Sequence, residues 1–290
     1  MDASNPSAAL PFAVQTPLHV GAVGLKVRDL DRLTAFYRDV IGLAVLEHGA
    51  GRVRLGAGGL TLLELEHTPK AKPDNPSEAG LYHTAFLQPT RADLARWLIH
   101  VARHRVPLSG ASDHAVSEAI YLDDPEGNGI EVYRDRQPDE WTWEGDLIRM
   151  TTERLDLDAL AEAAGADHDY QSAPEGLRIG HIHLRVGELG QAESFYRGVI
   201  GLDLTRRRHG ASFMSSGRYH HHVAGNVWHS NGAAARDPER AGLAWFSLRA
   251  NGAETRNALA ARIAEAGLPA ERNSAVLETA DPWGTRVRIV

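Results

Sequence analysis

Histidine is where this sequence could do chemistry. There are 15 histidines in 290 residues and no cysteine. Thiolate metal sites, disulfides and cysteine nucleophiles are therefore excluded. Any metal would have to be held by imidazole and carboxylate. The densest group is the run 218–228, "RYHHHVAGNVW", with His220, His221 and His222 in succession. A metal cluster is the tempting reading. In a strand, however, alternate residues point to opposite faces, so His220 and His222 would share one side and His221 the other. The three would not serve one centre. Ligands must then come from separate parts of the chain, and the question becomes which elements bring them together.

Those elements repeat. Residues 18–43, "LHVGAVGLKVRDLDRLTAFYRDVIGL", match residues 177–202, "LRIGHIHLRVGELGQAESFYRGVIGL". Each begins with an alternating apolar stretch, as a half-buried strand would. Each continues into an amphipathic helix carrying "FYR" and stops at Gly42 or Gly201. A second pair is "AGLYHTAFL" (79–87) with "AGLAWFSLR" (241–249), and a third is "DPEGNGIEVY" (124–133) with "DPWGTRVRIV" (281–290). In the third, Asp-Pro and glycine make a turn before a strand. The three pairs keep one order at similar offsets, from Phe36 to Phe195, Ala79 to Ala241 and Asp124 to Asp281. That is duplication of a unit of roughly 120 residues. Each unit contains two rounds of strand, helix and three strands, with helices expected at 30–41, 91–104, 189–199 and 254–266. The fold class is therefore α+β: two tandem domains, four βαβββ modules, cup-shaped mixed sheets with helices outside. The expected divisions are an N-terminal arm at 1–16, a first domain at 17–135, a linker at 136–176 with a short helical pattern at 156–164, and a second domain at 177–290.

Composition sets bounds on function. The hydrophobic fraction of 43 % supplies a core for two domains, and the net charge of −7 disfavours a general nucleic-acid binder. The first residues lack the basic start and long apolar run of a signal peptide, and no run approaches the roughly 18 apolar residues that span a bilayer. A cytoplasmic protein with no membrane and no nucleic-acid partner is expected.

Paired βαβββ modules, "FYRDVIGL" after a first strand and "DPEGNGIEVY" at a last strand resemble the vicinal oxygen chelate superfamily. That superfamily includes glyoxalase I, fosfomycin and bleomycin resistance proteins, and type I extradiol dioxygenases. The resemblance runs from about residue 17 to the end. "DHAVSEAIYLDDPEGNGIEVY", "IGHIHLRV" and "GRYHHHVAGNVW" are most similar to the two-domain catechol-2,3-dioxygenase group. One scaffold carries several chemistries in this superfamily, so the site must decide among them.

The resemblance implies a metal in a cup formed by two modules. Its ligands would be a His on the first strand of each module and a Glu on one last strand. The first-strand positions are Ala22, His83, His181 and Trp245 for modules one to four. The last-strand positions are Glu131 in module two and Arg288 in module four. Neither half of the chain is complete, a departure from familiar extradiol enzymes, which carry all three ligands in the second half. His83, Glu131 and His181 nevertheless make one full two-His, one-carboxylate set. Modules two and three are then expected to pair around the metal, and modules one and four around a metal-free cup. Such a triad leaves about three open positions, as oxygen chemistry on a chelating diol requires. Fe(II) is the expected cofactor, with Mn(II) next.

The resemblance also implies acid–base groups beside the metal. The family's His after a "GRHH"-like turn falls on His221. Gly217 precedes His221 by four, as Gly127 precedes Glu131, which agrees with His221 facing the cup. His220 and His222 would face away into packing. Tyr121, on the strand before Glu131, matches a tyrosine that hydrogen-bonds substrate. His114 resembles a second catalytic His, and His183, two residues after His181, would share its face and approach the substrate. The activity implied is extradiol cleavage of a small aromatic diol with O₂. The alternatives are a metal-dependent glyoxalase-like isomerase or lyase, which usually carries a fourth ligand, and a drug-binding protein, which usually lacks a full triad. Exposed module edges leave room for a homo-oligomer.

Overall fold

The structure is a computed structural model, and it describes residues 10–269, 271–273 and 276–290. Four βαβββ modules follow in chain order. Module one is Leu18–Val27 (β1), Leu30–Asp39 (α1), Ala44–Gly49 (β2), Arg52–Ala57 (β3) and Leu60–His67 (β4). Module two is Gly80–Leu87 (β5), Arg91–Arg103 (α2), Gly110–Asp113 (β6), Ser117–Asp123 (β7) and Gly129–Asp135 (β8). The connector carries three two-residue strands, Trp143–Glu144 (β9), Leu147–Ile148 (β10) and Glu153–Arg154 (β11), and the helix Leu157–Glu162 (α3). Module three is Arg178–Arg185 (β12), Leu189–Glu193 (α4) running into a π-helical turn at Ser194–Val199, Asp203–Arg208 (β13), Ala211–Ser215 (β14) and Val223–Asn226 (β15). Module four is Gly242–Ala250 (β16), Ala253–Glu265 (α5), Glu271–Asn273 (β17), Val276–Ala280 (β18) and Arg286–Ile289 (β19).

The helices form where apolar spacing and caps agree. In α1, Leu30, Leu33 and Tyr37 fall on one buried stripe, and the Asp29 carboxylate accepts from the Arg32 N–H. In α2, Leu94, Trp97, Leu98 and Val101 do the same behind Thr90, whose hydroxyl oxygen accepts from the Asp93 N–H. Gly42 and Gly201 stop the first helix of each half at φ of 84° and 87°, a conformation that other residues adopt only with strain.

The sheets do not follow the two halves of the chain. One sheet has the order β17-β18-β19-β16-β1-β4-β3-β2, joining modules four and one. The other has the order β11-β6-β7-β8-β5-β12-β15-β14-β13, joining modules two and three. The seam in each is an antiparallel pair of first strands, β1 with β16 and β5 with β12. The two modules of each half meet instead through the repeated motifs. The Tyr37 hydroxyl of the first "FYR" donates to the Asp124 carboxylate of the first "DP" turn at 2.9 Å, and Tyr196 donates to Asp281 at 3.0 Å. Both carboxylates are buried and raised by that burial. The two motifs recur together because they touch.

Two expectations need correction. Residues 10–16 of the expected loose arm form a docked element, while residues 1–9 lie outside the described ones. Phe12–Gln15 makes a 3₁₀ turn, Ala13 is buried, and its carbonyl accepts from the His222 imidazole at 2.9 Å. Nor is 136–176 a bare linker. Trp141, Ile148, Met150, Leu155 and Leu160 are buried, and β11 joins the edge of the second sheet. Among the described residues no helix is long and apolar enough to cross a membrane.

Candidate metal centre

The nine-stranded sheet lines up its chemistry in rows. Glu131 on β8 stands opposite Ala85 on β5, and Ala85 stands opposite His181 on β12. Tyr121 on β7 is opposite Glu131 on the other side. A transverse row Tyr121, Glu131, Ala85, His181 therefore crosses four strands on one face. His83 lies two residues from Ala85 on that face, paired with His183. Ala85, at the centre of the row, is small and fully buried.

Three of these side chains converge. Glu131 Oε2 lies 3.0 Å from His83 Nε2 and 3.3 Å from His181 Nε2, and the two nitrogens are 3.4 Å apart. All three residues are buried, and among the described residues they form the one group of three or more His, Asp or Glu with ligand atoms this close. Ligand bonds of about 2.1 Å at right angles put neighbouring donor atoms about 3.0 Å apart, so the spacing fits a metal at their common point. The charge states fit as well. Burial pushes His181 down to about 4, against the pull of Glu131. Burial opposes the charge on Glu131, but the neighbouring His181 and His83 outweigh it and hold the carboxyl well below its ordinary range. At neutral pH, then, His181 is neutral and Glu131 ionised, the forms that bind metal. The far nitrogen of His181 is buried without a hydrogen-bond partner. Packing between the rings of Tyr133 and His221, with centroids at 4.9 and 4.1 Å, orients it instead.

A cavity of about 740 Å³ opens over this point, and His114, Tyr121, His183 and His221 also line it. The Tyr121 hydroxyl is 2.7 Å from His114 Nε2, and His114 Nδ1 is 2.7 Å from the Thr151 carbonyl. Because a carbonyl only accepts, Nδ1 carries the His114 proton, and Tyr121 donates to Nε2. Burial and the Glu131 charge raise the Tyr121 hydroxyl far above its usual range, so it stays protonated. His183 Nε2 accepts from the Asn226 amide at 3.0 Å.

The three consecutive histidines are not in a strand. Gly217 and Arg218 take positive φ of 65° and 59°, and the resulting turn carries residues 217–222 before β15 starts at Val223. Even so, His221 faces the cavity, and His220 and His222 are fully buried away from it. His220 lies between Asp135 and His221, bonded to both.

Several lining residues escaped the sequence reading. Tyr82 and Trp228 are half-exposed at the mouth, with ring centroids 5.3 Å apart and each within 6 Å of His183. Phe213 lines the wall, and Met150 and Thr152 reach in from the connector. Trp228 closes the "RYHHHVAGNVW" run and was visible as its aromatic end. Met150 and Thr152 gave no signal, because the connector has no counterpart in the repeat.

The second cup is filled. Trp245 and Arg288 occupy the positions that correspond to His83 and Glu131, and the guanidinium sits 3.9 Å over the indole. The indole lies so close over Gly24 that a Cβ there would be 2.3 Å from it.

Known proteins place the chain. The model of the Glyoxalase/Bleomycin resistance protein/Dioxygenase superfamily matches residues 18–132 and 178–287. A catechol-2,3-dioxygenase of Bacillus subtilis (strain 168) is 38 % identical over 277 residues, covering 93 % of this chain and 96 % of that protein. Solved structures share the fold at low identity. Glyoxalase I from Zea mays has a TM-score of 0.57 at 14 % identity, covering 96 % of this chain and 94 % of that one. The cppA protein from Streptococcus pneumoniae has a TM-score of 0.54 at 11 % identity, covering 93 % and 98 %. By the two separate matches of its halves and by its four modules, the chain belongs to the glyoxalase/bleomycin resistance protein/dioxygenase superfamily.

Proposed function

We propose that the protein is an extradiol ring-cleavage dioxygenase that opens a catechol beside its two hydroxyls with O₂. The observation that carries this reading is the meeting of His83, Glu131 and His181 under His221 and Tyr121 in one cavity. The 38 % identity to a catechol-2,3-dioxygenase supports the same reading. His83, Glu131 and His181 would hold the metal, with Fe(II) preferred and Mn(II) next. Bound there, the metal would supply Lewis acidity to a chelating diol and electrons for O₂.

The chain's own residues do the rest. His221, buried beside His181, takes a proton from a diol hydroxyl. Its burial among other imidazoles holds it well below its usual range, so the ring arrives unprotonated. Tyr121 spends its own proton on His114 and offers an oxygen lone pair to a substrate hydroxyl. His183, oriented by Asn226, and the Tyr82–Trp228 pair flank an aromatic ring entering from the mouth. The glyoxalase-like alternative usually carries a fourth ligand, and among the described residues only His83, Glu131 and His181 converge.

The test is anaerobic loading with Fe(II) or Mn(II), then catechols with O₂. We expect a yellow ring-opened product and one O₂ consumed per product. Oxygen-independent activity with Ni(II) or Zn(II), and no catechol turned over with iron or manganese, would contradict the proposal.

A further inference from the structure

Behind His221 runs a line of hydrogen bonds, buried at its histidine and tyrosine links and half-buried at Asp135. Asp135 Oδ1 lies 2.8 Å from His220 Nε2, and His220 Nδ1 lies 2.7 Å from His221 Nδ1. Asp135 is itself held. Its other oxygen accepts from the Tyr219 hydroxyl at 3.0 Å, and Tyr219 is bonded to Tyr133 at 2.7 Å. His220 and both tyrosines are wholly buried. Strand alternation explains the layout. Glu131, Tyr133 and Asp135 are alternate residues of β8 and share one face, so the strand that bears the carboxylate of the metal centre also bears this line. The line has its own space requirement. A Cβ on Gly180 would fall 1.8 Å from the Tyr133 hydroxyl, so glycine beside His181 makes room for it.

Hydrogen-bond roles fix the protons. An ionised carboxylate only accepts, so His220 donates to Asp135 from Nε2. A neutral His220 then has a bare Nδ1, which accepts from its neighbour. His221 must therefore carry its proton on Nδ1, and its Nε2 is bare. We propose that Asp135 and His220 are positioning residues that lock His221 in the Nδ1–H tautomer, leaving Nε2 as the proton acceptor of the site. This rests on the role proposed for His221, but its first readout does not. Without the line, an isolated imidazole exchanges its two tautomers freely. The Nε2–H form would present a donor where an acceptor is needed.

The experiment is histidine ¹⁵N–¹H correlation spectroscopy on the protein loaded with Zn(II), which is diamagnetic, with His221→Gln used to assign the resonance. We expect His221 with Nδ1 protonated and Nε2 bare. His220→Leu should release the tautomer and lower kcat on a catechol about 10²-fold, with KM and metal content unchanged. His220→Gln should restore both, because its carbonyl accepts from His221 while its amide donates to Asp135. An Nε2–H form of His221 in the wild type overturns the proposal, as does an unchanged tautomer in His220→Leu. Should the wild type turn over no catechol, ring cleavage is refuted, while the tautomer measurement still decides this inference.

Discussion

At the residue scale, the side chains near the cavity divide by what they touch. His83, Glu131 and His181 touch one another; His221 touches the His181 ring. The two kinds should separate on mutation. His221→Ala is expected to keep one bound metal by plasma emission analysis while kcat falls between about 10² and 10⁴-fold, the range for a lost acid–base group. Loss of the metal in that variant would return His221 to the ligand set. Tyr121→Phe removes the hydroxyl bonded to His114 at 2.7 Å and should raise KM for the diol while the metal stays bound.

At the element scale, the row across β7, β8, β5 and β12 makes an unusual demand, because its centre must be small. Ala85 is fully buried between Glu131 and His181 in the row, so a larger side chain there would press on both neighbours. Ala85→Leu should therefore abolish metal binding in a titration while every ligand remains; tight binding by that variant would show the row is misread. The repeated motifs make a second demand. Asp124 accepts from Tyr37 and also from the N–H groups of Glu126 and Asn128 in its turn. Asp124→Ala should cost about 1–3 kcal/mol in denaturant unfolding, because it strands buried donors. Much of this was legible in the sequence, since "FYR" and "DP" recur in both halves at similar spacing. Module boundaries and helices follow from that register, whereas the grouping of Glu131 with His83 and His181 came from the family resemblance. Ala85 was invisible, because a small residue announces nothing until its neighbours across two strands are known. The turn at His220–His222 was misjudged as a strand, since Arg218 takes a left-handed conformation that its residue type does not advertise. The docking of residues 10–16 on His222 was equally hidden, because it links positions more than 200 apart in the chain.

At the scale of the whole molecule, two features matter: buried imidazoles and crossed halves. Burial pushes His19 down to about 4 and His222 to about 3, as it does His181 to about 4. The unfolded chain takes up protons at these groups near pH 6.5, and the native one refuses them. Their contribution to stability is therefore complete above pH 6.5 and is lost as the pH falls through 4 towards 3. The metal-free protein should show a melting temperature that declines steadily over that window in scanning calorimetry; a flat profile between pH 6.5 and 4 would contradict these burials. The crossed halves explain how a duplicated chain comes to have, among its described residues, a single convergent group of two imidazoles and a carboxylate. Each half alone lacks a ligand, but the sheet joining modules two and three brings His83 and Glu131 from one half against His181 from the other. The other sheet fills the matching space with Trp245 and Arg288. The most direct test is metal stoichiometry in protein purified without oxygen, measured for the wild type and for His83→Ala, Glu131→Ala and His181→Ala. We predict one metal per chain in the wild type and none in any of the three variants. Two metals per chain, or one retained after loss of His181, would contradict a centre shared between the halves.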